Sequence, residues 1–324
     1  MTKQPGVICI GEVLIDLLSE EPGKSWKAVN LWTPYTGGAP ANVAIALKRL
    51  GMRTAFIGCV GNDESGTRLL AEMNYEGIDT HCVQVTNQFP TRKVYVERSN
   101  TGERFFAGFG ENKTSDFADT RIIAASVPNV IFEKYTCLVL GTLMLPYPLS
   151  REAVLLAIKN SKKAGLLLAM DVNWRPVFWP ETDIAIKLIT ELILEMDIVK
   201  FSKEEAEWLL NTSSTSEIIR LLPNASVILV TDGENGCHYY INGYHGFLRA
   251  FKVHSVDTTG AGDNFFAGFL FHYIMCRSYT ERSVKEIMRF ASAMGAMCTT
   301  HAGAVSTRIF KQDIDHFLLH NQNE

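Results

Sequence analysis

Residues 257–269 read DTTGAGDNFFAGF and form the most informative stretch of the chain. Apolar residues continue to about residue 275, which predicts a helix that starts within the glycine-rich turn. Gly260 and Gly262 flank the small Ala261, so the backbone can adopt unusual dihedral angles and another group can approach it closely. N–H groups in the first turn of a helix lack helical partners, and together with the positive end of the dipole they favour an anion. The stretch therefore predicts an anion-binding turn.

Asp263 adds a carboxylate to this turn, and we expect that carboxylate to be ionised. Phosphoryl transfer to an alcohol requires such a pairing, because amides stabilise the moving phosphoryl group while a carboxylate accepts the hydroxyl proton. A simpler alternative is a tight loop in which Asp263 only caps the following helix, since glycine-rich turns before helices are common. The residues of this stretch alone leave both interpretations open.

A second glycine-rich loop precedes a predicted helix near the N-terminus. Residues 35–42 read YTGGAPAN and lead into a helical pattern that Gly51 closes. A ligand could approach the backbone at Gly38, and the amide of Asn42 can both donate to and accept from sugar hydroxyls. Asn42 could equally cap or begin the helix.

Asp16 is a further candidate for ligand binding. It is a charged residue set among apolar ones, and it follows residues 7–10, an apolar run typical of a buried parallel strand. Ligands of open α/β sheets usually bind beyond the carboxyl ends of the strands. The alternative for Asp16 is a solvated position in a turn.

The order of the predicted elements indicates an α/β fold. Strands are predicted at 137–140 and 166–169, with a helix at 150–164 between them. Strands separated by helices of this length indicate a doubly wound, mainly parallel sheet flanked by helices. Residues 171–176 read DVNWRP and follow the second of these strands, which places Asn173 and Arg175 where ligands bind in such sheets. A structural ion pair is the alternative for Arg175.

Two segments, about 12–36 and 89–110, predict a small second sheet. The second segment alternates apolar and polar residues around a predicted turn at 100–102. The apolar face of a small sheet needs cover, which argues for a homodimer formed through it. We expect one domain over residues 1–324 that carries this sheet as an appendage.

Four shorter patterns predict local structure or packing. Residues 58–66 read GCVGNDESG, which we interpret as turn glycines with Asp63 capping the next helix. The spacing of Ser202 and Glu205 is that of a capping box. A hairpin is predicted at 237–248 around an Asn-Gly turn. Small residues also crowd a helix at about 284–300, and they indicate either close helix packing or room for a flat base.

Composition and charge argue against several classes of protein. The formal net charge is -4 over 324 residues, which gives no electrostatic footprint for nucleic acid or anionic lipid. The seven cysteines are far apart and show neither CxxC nor zinc-site spacing, which is typical of a reducing compartment. No apolar run approaches a membrane span. We expect a cytoplasmic protein with a small-molecule partner and no nucleic-acid or membrane partner.

Taken in order, these motifs resemble the ribokinase-like carbohydrate and nucleoside kinases of the PfkB family. Residues 257–269 resemble the C-terminal signature of that family, and residues 37–42 resemble its N-terminal Gly-Gly-x-x-x-Asn signature. The resemblance runs from about residue 7 to residue 306. It is greatest for fructokinases, which carry an Asp-x-Asn-x-Arg string similar to residues 171–175. It implies a ribokinase-like fold in which the small sheet is a lid over a sugar.

The resemblance also implies roles for individual residues. Asp263 would be the catalytic base beside an anion hole formed by Gly260, Ala261 and Gly262. The residues implied to bind the sugar are Asp16, Gly38, Asn42, Arg104, Asn173 and Arg175. The residues implied to bind ATP are Lys200, Ser202, Glu205, Thr231, Gly233, Gly236, Gly260, Gly262, Ala293 and Ala296. The residues implied to hold a monovalent cation are Asp257, Thr259, Gly303 and Ser306.

The activity that the resemblance favours is ATP-dependent phosphorylation of fructose to fructose 6-phosphate. Mg²⁺ would assist, with Glu205 acting on it through water, and K⁺ is a further candidate cofactor. The family has Asn-x-x-Glu where this chain has Ser202-x-x-Glu205, so the match there is carried by Glu205. The alternatives are a 2-keto-3-deoxygluconate kinase, a ribokinase, a nucleoside kinase, or a catalytically silent nucleotide-binding member of the family.

Overall fold

The computed structural model describes residues 4–99 and 104–321, without the side chain of Arg104. The predicted turn at 100–102 lies outside the described residues. The strands are β1 (Gly6–Ile10), β2 (Leu14–Ser19), β3 (Trp32–Gly37), β4 (Arg53–Gly61), β5 (Asp79–Thr86), β6 (Lys93–Arg98), β7 (Arg104–Gly108), β8 (Cys137–Leu140), β9 (Leu167–Asp171), β10 (Ile198–Ser202), β11 (Val227–Thr231), β12 (Cys237–Ile241) and β13 (Tyr244–Leu248). The helices are α1 (Ala39–Arg49), α2 (Glu64–Tyr75), α3 (Val130–Lys134), α4 (Pro148–Lys163), α5 (Ala185–Ile193), α6 (Lys203–Leu210), α7 (Thr215–Leu221), α8 (Ala261–Met275), α9 (Glu281–Cys298) and α10 (Lys311–His320).

Nine strands form the main sheet, in the order β13-β12-β11-β10-β9-β8-β1-β4-β5. Neighbouring strands from β11 to β5 run parallel, whereas β12 is antiparallel to both of its neighbours. The strand order reverses at β1, which has β4 on one side and β8 on the other. Such a reversal opens a crevice at the carboxyl ends of the strands. The predicted doubly wound, mainly parallel sheet is confirmed.

Helices cover both faces of this sheet. In β1, Val7 and Cys9 pack with residues of α1, α2, α8, α9 and α10, while Ile8 and Ile10 pack with residues of α3 to α7. Side chains alternate between the two faces of a strand, so a strand that is buried on both faces needs an unbroken apolar sequence. Within the residues that the structure describes, no helix is long and apolar enough to cross a membrane.

The small second sheet has the order β3-β2-β6-β7. Strand β2 pairs antiparallel with β3 and parallel with β6, and β6 pairs antiparallel with β7. These strands come from the two segments in which the sequence predicted them. The second sheet is therefore confirmed, while its role as a lid stays a prediction.

Asp63 caps α2, as the sequence predicts, and it also holds the chain where it enters the small sheet. One carboxylate oxygen accepts from the N–H of Gly66 at 2.7 Å and from the hydroxyl of Thr91 at 2.8 Å. The other oxygen accepts from the N–H of Thr91 at 2.8 Å. A single carboxylate therefore joins the start of α2 to the segment that leads into β6.

The interpretation of Gly58 and Gly61 as turn glycines was wrong, because both lie within β4. A Cβ atom at Gly58 would lie 2.6 Å from the ring of Phe56, and one at Gly61 would lie 2.7 Å from the nitrogen of Thr91. These glycines let other groups approach the strand closely. The hairpin at 237–248 is confirmed as β12 and β13.

A buried ion pair lies between the small sheet and the main domain. The Nε atom of Arg92 donates to Oδ2 of Asp119 at 2.6 Å, and Nη2 donates to Oδ1 at 2.8 Å. The two side chains are 0% and 1% exposed. Burial by itself lowers the pKa of Arg92, but the charge of Asp119 raises that pKa above its ordinary value. Four aromatic rings surround the guanidinium, those of Phe109, Phe117, Tyr147 and Phe178.

Asp119→Asn should destabilise the fold, because it leaves the Arg92 guanidinium buried without its counter-ion. We expect the free energy of unfolding to fall by about 3–5 kcal/mol, measured by urea denaturation. Asp315→Asn is the matched control, because its partner Lys311 and Asp315 itself are about half exposed. The control should lose less than about 1 kcal/mol. Equal losses of unfolding free energy in the two variants would contradict a stabilising role of the pair between Arg92 and Asp119.

Candidate active site

One large cavity lies at the carboxyl ends of the central strands, next to the small sheet. Its volume is about 1070 Å³. Leu14 and Leu18 of β2 and Val94 and Val96 of β6 line it from the side of the small sheet. The predicted site residues that line the same cavity are Asp16, Gly38, Asn42, Asn173, Arg175, Lys200, Ser202, Glu205, Thr231, Asp257, Thr259, Gly260, Gly262, Asp263 and Gly303. The fold thus brings both glycine-rich loops to one space.

The turn before α8 requires glycine at position 260. Gly260 has a φ of 75°, and a Cβ atom there would lie 2.2 Å from Cβ of Ala304. The side-chain amide of Asn264 donates to the carbonyl oxygens of Gly260 and Ala304, each at 2.9 Å. The turn is therefore fixed from both sides, by close packing and by two hydrogen bonds.

The predicted anion hole lies in the first turn of α8. The N–H of Ala261 donates to the carbonyl of Thr258 at 3.2 Å, so this amide already has a partner within the protein. The N–H groups of Gly262 and Asp263 lie in the same turn, which has no preceding helical carbonyl groups to accept them. The amides of Gly262 and Asp263 are therefore the donors of this turn that remain available for an anion, while anion binding itself stays a prediction.

Asp263 does not cap α8, because the N-cap position is Gly260 and no side chain caps the helix there. Instead, Oδ2 of Asp263 accepts from the side-chain amide of Asn42 at 2.8 Å. Burial raises the pKa of Asp263 to about 6, and repulsion from Asp171 adds to this effect. The hydrogen bond from Asn42 and the charges of Lys200 and Arg175 oppose it. A carboxylate of this pKa is mostly ionised at neutral pH and can take up a proton, as a general base must.

Asn42 does not cap α1 either, because the helix begins at Ala39 after the N-cap Gly38. The backbone N–H of Asn42 donates to the carbonyl of Gly38 at 2.8 Å, which is an ordinary helical bond. Gly38 has a φ of 101°, and a Cβ atom there would lie 2.5 Å from the carbonyl oxygen of Glu12. The first turn of α1 thus directs the amide of Asn42 to the cavity and to Asp263.

A buried lysine lies beside the anion-binding turn. Nζ of Lys200 donates to Oδ2 of Asp171 at 2.7 Å, and each side chain is 7% exposed. A Cβ atom at Gly262 would lie 3.2 Å from this Nζ. Burial by itself lowers the pKa of Lys200, but Asp171 and Glu205 raise it above its ordinary value. Lys200 is therefore a fixed positive charge next to the turn.

Ser202 and Glu205 form the predicted capping box at the start of α6. The hydroxyl of Ser202 accepts from the N–H of Glu205 at 3.2 Å, and Oε2 of Glu205 accepts from the N–H of Ser202 at 2.7 Å. Oε1 of Glu205 accepts from the N–H of Trp174 at 2.6 Å. Burial raises the pKa of Glu205 above its ordinary value. In the described part of the chain, no group of three metal-ligating side chains surrounds it.

The four residues predicted to hold a monovalent cation lie together. Oδ1 of Asp257 accepts from the N–H and the hydroxyl of Thr259, at 3.0 and 2.8 Å. Oδ2 accepts from the N–H of Gly303 at 2.6 Å. A Cβ atom at Gly303 would lie 2.6 Å from the hydroxyl oxygen of Ser306. Asp257 therefore joins the loop before α8 to the loop after α9, while cation binding stays a prediction.

Several of the predicted site residues are not among the described residues that line the cavity. Gly236 is required by the fold, because a Cβ atom there would lie 2.1 Å from the carbonyl oxygen of Leu248. Ala293 is fully buried in the core, so its small size serves close helix packing. The other predicted residues outside the lining are Gly233, Ala261, Ala296 and Ser306. Their ligand roles stay predictions, and the predicted role of the Arg104 side chain lies outside the described residues.

Two acidic residues at the cavity were missed as site residues by the sequence analysis. Glu12 follows the apolar strand β1 after a single glycine, and Asp171 is the last residue of the apolar strand β9. An acidic residue at the carboxyl end of a buried parallel strand is the signal that could have found both. The loop before Asp257 also contributes Ser255 and Val256 to the lining, and nothing in the sequence pattern marked them.

Comparison with known proteins shows the family of this chain. Residues 4–309 match the model of the pfkB family carbohydrate kinases. The chain is 36% identical to fructokinase-1 of Zea mays over 305 residues, which cover 92% of this chain and 93% of that protein. The structure of the Xylella fastidiosa fructokinase with bound ATP has a TM-score of 0.88 at 26% identity, with 98% of this chain and 99% of that chain covered. A Vibrio cholerae fructokinase double mutant with fructose, ADP and potassium ion has a TM-score of 0.83 at 25% identity, with 98% and 100% covered.

The doubly wound fold is thus that of a carbohydrate kinase. The chain belongs to the PfkB family of carbohydrate kinases.

Gly260→Ala should impair phosphoryl transfer, because the added methyl group would collide with Ala304 and displace the anion-binding turn. We expect kcat/KM to fall by about 10²–10³, the range for loss of an oxyanion donor. Gly51→Ala is the matched control, because Gly51 also has a positive φ, of 91°, but nothing lies within 4 Å of a Cβ atom there. Steady-state kinetics should show near-normal activity for the control. Unchanged activity of Gly260→Ala would refute the role of the turn.

Proposed function

We propose that this protein transfers the γ-phosphoryl group of ATP to the primary hydroxyl of fructose and releases ADP and fructose 6-phosphate. One observation carries the proposal: Asp263, in the anion-binding turn, lines the same cavity as the predicted sugar-binding residues Asp16 and Asn42. The fructokinases of similar sequence and structure favour fructose as the sugar.

Asp16, Asn42 and Arg175 orient the sugar in this proposal. Asp16 lies on β2, opposite Val94 of β6, and so approaches the sugar from the small sheet. A Cβ atom at Gly37 would lie 2.2 Å from Oδ2 of Asp16, so the glycine leaves room for this carboxylate. Arg175 is exposed at the cavity and donates from Nη1 to the carbonyl of Trp174 at 2.8 Å.

Asp263 accepts the proton of the sugar hydroxyl as the oxygen attacks the γ-phosphorus. The new bond joins the sugar oxygen to phosphorus, and the bond from that phosphorus to the oxygen bridging to the β-phosphate breaks. ADP leaves with the electron pair of the broken bond. The amides of Gly262 and Asp263, with the nearby charge of Lys200, stabilise the charge on the transferred group.

The acidic residues near Lys200 fit a magnesium ion held mainly by phosphates and water. Oδ1 of Asp171 is buried and has no partner within the described structure. Both oxygens of Glu205 accept backbone N–H groups, so Glu205 would act through a water molecule. Mg²⁺ commonly keeps several waters and binds substrate phosphates, and its charge would neutralise them.

We also propose a potassium ion at the Asp257 and Gly303 loops, because the related Vibrio cholerae fructokinase is described with one. The small sheet would cover the sugar within the single domain of residues 1–324. On the other face of the small sheet, the ring centroid of Tyr95 lies 5.0 Å from that of Trp32 and 5.7 Å from that of Trp26, which belongs to the loop between β2 and β3. This partly exposed aromatic face is where we place a homodimer contact. The cytoplasmic location stays a prediction from the sequence.

A coupled assay of ADP release across candidate acceptors tests the proposal. The acceptors are fructose, glucose, ribose, 2-keto-3-deoxygluconate, adenosine and inosine, each with and without K⁺ and with Mg²⁺ chelated. We expect fructose to have at least a tenfold higher kcat/KM than any other acceptor, about 1.4 kcal/mol of discrimination. A smaller preference would contradict fructose as the substrate. Turnover of none of them would support the catalytically silent alternative.

Asp263→Asn should abolish most of the turnover, because an amide cannot accept the hydroxyl proton. We expect kcat to fall by about 10²–10⁴, with ATP affinity nearly unchanged. Steady-state kinetics and calorimetric titration of ATP measure the two quantities. Asp315→Asn, on the exposed face of α10, should leave both as they are. Wild-type kcat in Asp263→Asn would rule out this residue as the base.

A further inference from the structure

Glu12 is a buried acidic residue beside the proposed active site, and it has no role in the proton transfer or sugar binding described above. It lies between β1 and β2, is 1% exposed, and belongs to the lining of the cavity. Oε1 accepts from the backbone N–H of Ala39 at 3.0 Å. Oε2 is buried and has no hydrogen-bond partner within the described structure. Burying a carboxylate oxygen that accepts no hydrogen bond costs free energy, and this cost favours the protonated form of Glu12.

The hydrogen bonds of Glu12 lead to the proposed base in three steps. Ala39 is the first residue of α1, so the bond from its N–H fixes the start of that helix. In the same turn, the N–H of Asn42 donates to the carbonyl of Gly38. The side chain of Asn42 then donates to Oδ2 of Asp263. Glu12 therefore holds the turn from which Asn42 reaches the base.

Among the described residues, two acidic groups on other elements act on Glu12 through their charge. They are Asp119, from the short 3-10 turn before α3, and Asp263, from α8. Asp119 is paired with Arg92, which reduces its effect. Burial raises the pKa of Glu12 to about 8, and the two acids add to this, while hydrogen bonds from backbone N–H groups oppose it. Glu12 is thus mostly an uncharged carboxylic acid at neutral pH.

A proton on Glu12 also supplies a hydrogen-bond donor to a part of the cavity wall where acceptor atoms lack one. Oδ1 of Asn42 is buried without a partner, as Oε2 of Glu12 is. Both are acceptor atoms when Glu12 is ionised, and neither can satisfy the other. Protonation turns one oxygen of Glu12 into a donor for an acceptor in the cavity wall.

We propose that Glu12 is a positioning residue for phosphoryl transfer that acts as a neutral carboxylic acid, holding α1 and Asn42 against Asp263 without adding negative charge beside the phosphates. The proposal rests on the proposed kinase activity for its kinetic consequences. Loss of the proton places a second negative charge near Asp263 and the nucleotide phosphates, and it removes the donor from the wall. Activity should therefore fall on the alkaline side as Glu12 ionises.

The pH dependence of kcat/KM tests this in the full-length protein. The wild type should give a bell, with an acid limb near pH 6 from Asp263 and an alkaline limb near pH 8 from Glu12. Glu12→Gln keeps an acceptor for Ala39 and supplies an uncharged donor. It should retain near-normal activity at pH 7 and the acid limb, while the alkaline limb disappears. Glu286→Gln, at an exposed ion pair of α9, is the control and should keep both limbs.

Glu12→Leu separates the hydrogen bond from the charge. Leucine is also uncharged but cannot accept from Ala39, so Asn42 should be misplaced. We expect kcat/KM for the sugar to fall by about 10- to 100-fold, as for small misplacements of reacting groups. The KM for ATP should change much less, and circular dichroism should confirm folding. An alkaline limb that persists in Glu12→Gln, or equal activity of the Gln and Leu variants at pH 7, would overturn the proposal.

Thermal unfolding against pH reports the state of Glu12 without any substrate. The pKa of Glu12 rises from an ordinary 4.5 to about 8 on folding, so the folded state holds the proton more tightly. The stabilisation is complete below about pH 4.5 and is lost as the pH rises to about 8. The Tm of Glu12→Gln relative to the wild type should therefore rise between pH 5 and pH 8 and then level off. A constant difference would refute the neutral acid, whereas failure of every acceptor to react would refute only the kinase function.

Discussion

The hydrogen bond from Asn42 to Asp263 is the interaction on which the site depends. It joins two residues that are 221 positions apart in the chain. Asn42 comes from the first turn of α1 and Asp263 from the first turn of α8, so the two helices start at the same place in space. The first turn of α8 directs free N–H donors to this place, which suits a phosphate group. The bond also orients the carboxylate towards the cavity instead of its own helix.

Burial of charge is the second constraint on this site. Glu12, Asp171, Lys200 and Glu205 are buried, and the half-buried Asp263 lines the same cavity. A cluster of this kind is stable only if the negative charges of its acidic residues are balanced by positive charge, by hydrogen bonds or by bound protons. Lys200 compensates Asp171 directly, backbone N–H groups compensate Glu205, and a bound proton compensates Glu12 in our proposal. The raised pKa of Asp263 follows from the same crowding.

The small sheet is fastened to the main domain where the chain enters β6. Asp63 binds Thr91, and the next residue, Arg92, forms the buried pair with Asp119. These contacts fix one end of the strand, while Val94 and Val96 farther along it face the cavity. The small sheet is thus attached at one end of β6 and lines the cavity along the rest of the strand, while its role as a lid stays a prediction.

The sequence by itself determined the fold class and predicted the centre of the candidate site. Alternation of short apolar runs with helical segments identified the doubly wound sheet, and the glycines around Ala261 identified the turn from which α8 begins. The sequence also predicted the capping box of Ser202 and Glu205 and the Asn-Gly hairpin, because each forms among a few neighbouring residues.

Only the tertiary structure decided which charged residues share the cavity and which glycines serve packing. Glu12 and Asp171 line the cavity because strands that are distant in sequence end side by side. Positions 58 and 61 of β4 require glycine because other groups approach the strand closely there. Asn42 and Asp263 look like helix caps from their own neighbours alone. Local patterns record the hydrogen bonds and dihedral angles of nearby residues, whereas contacts between distant segments arise only when the whole chain packs.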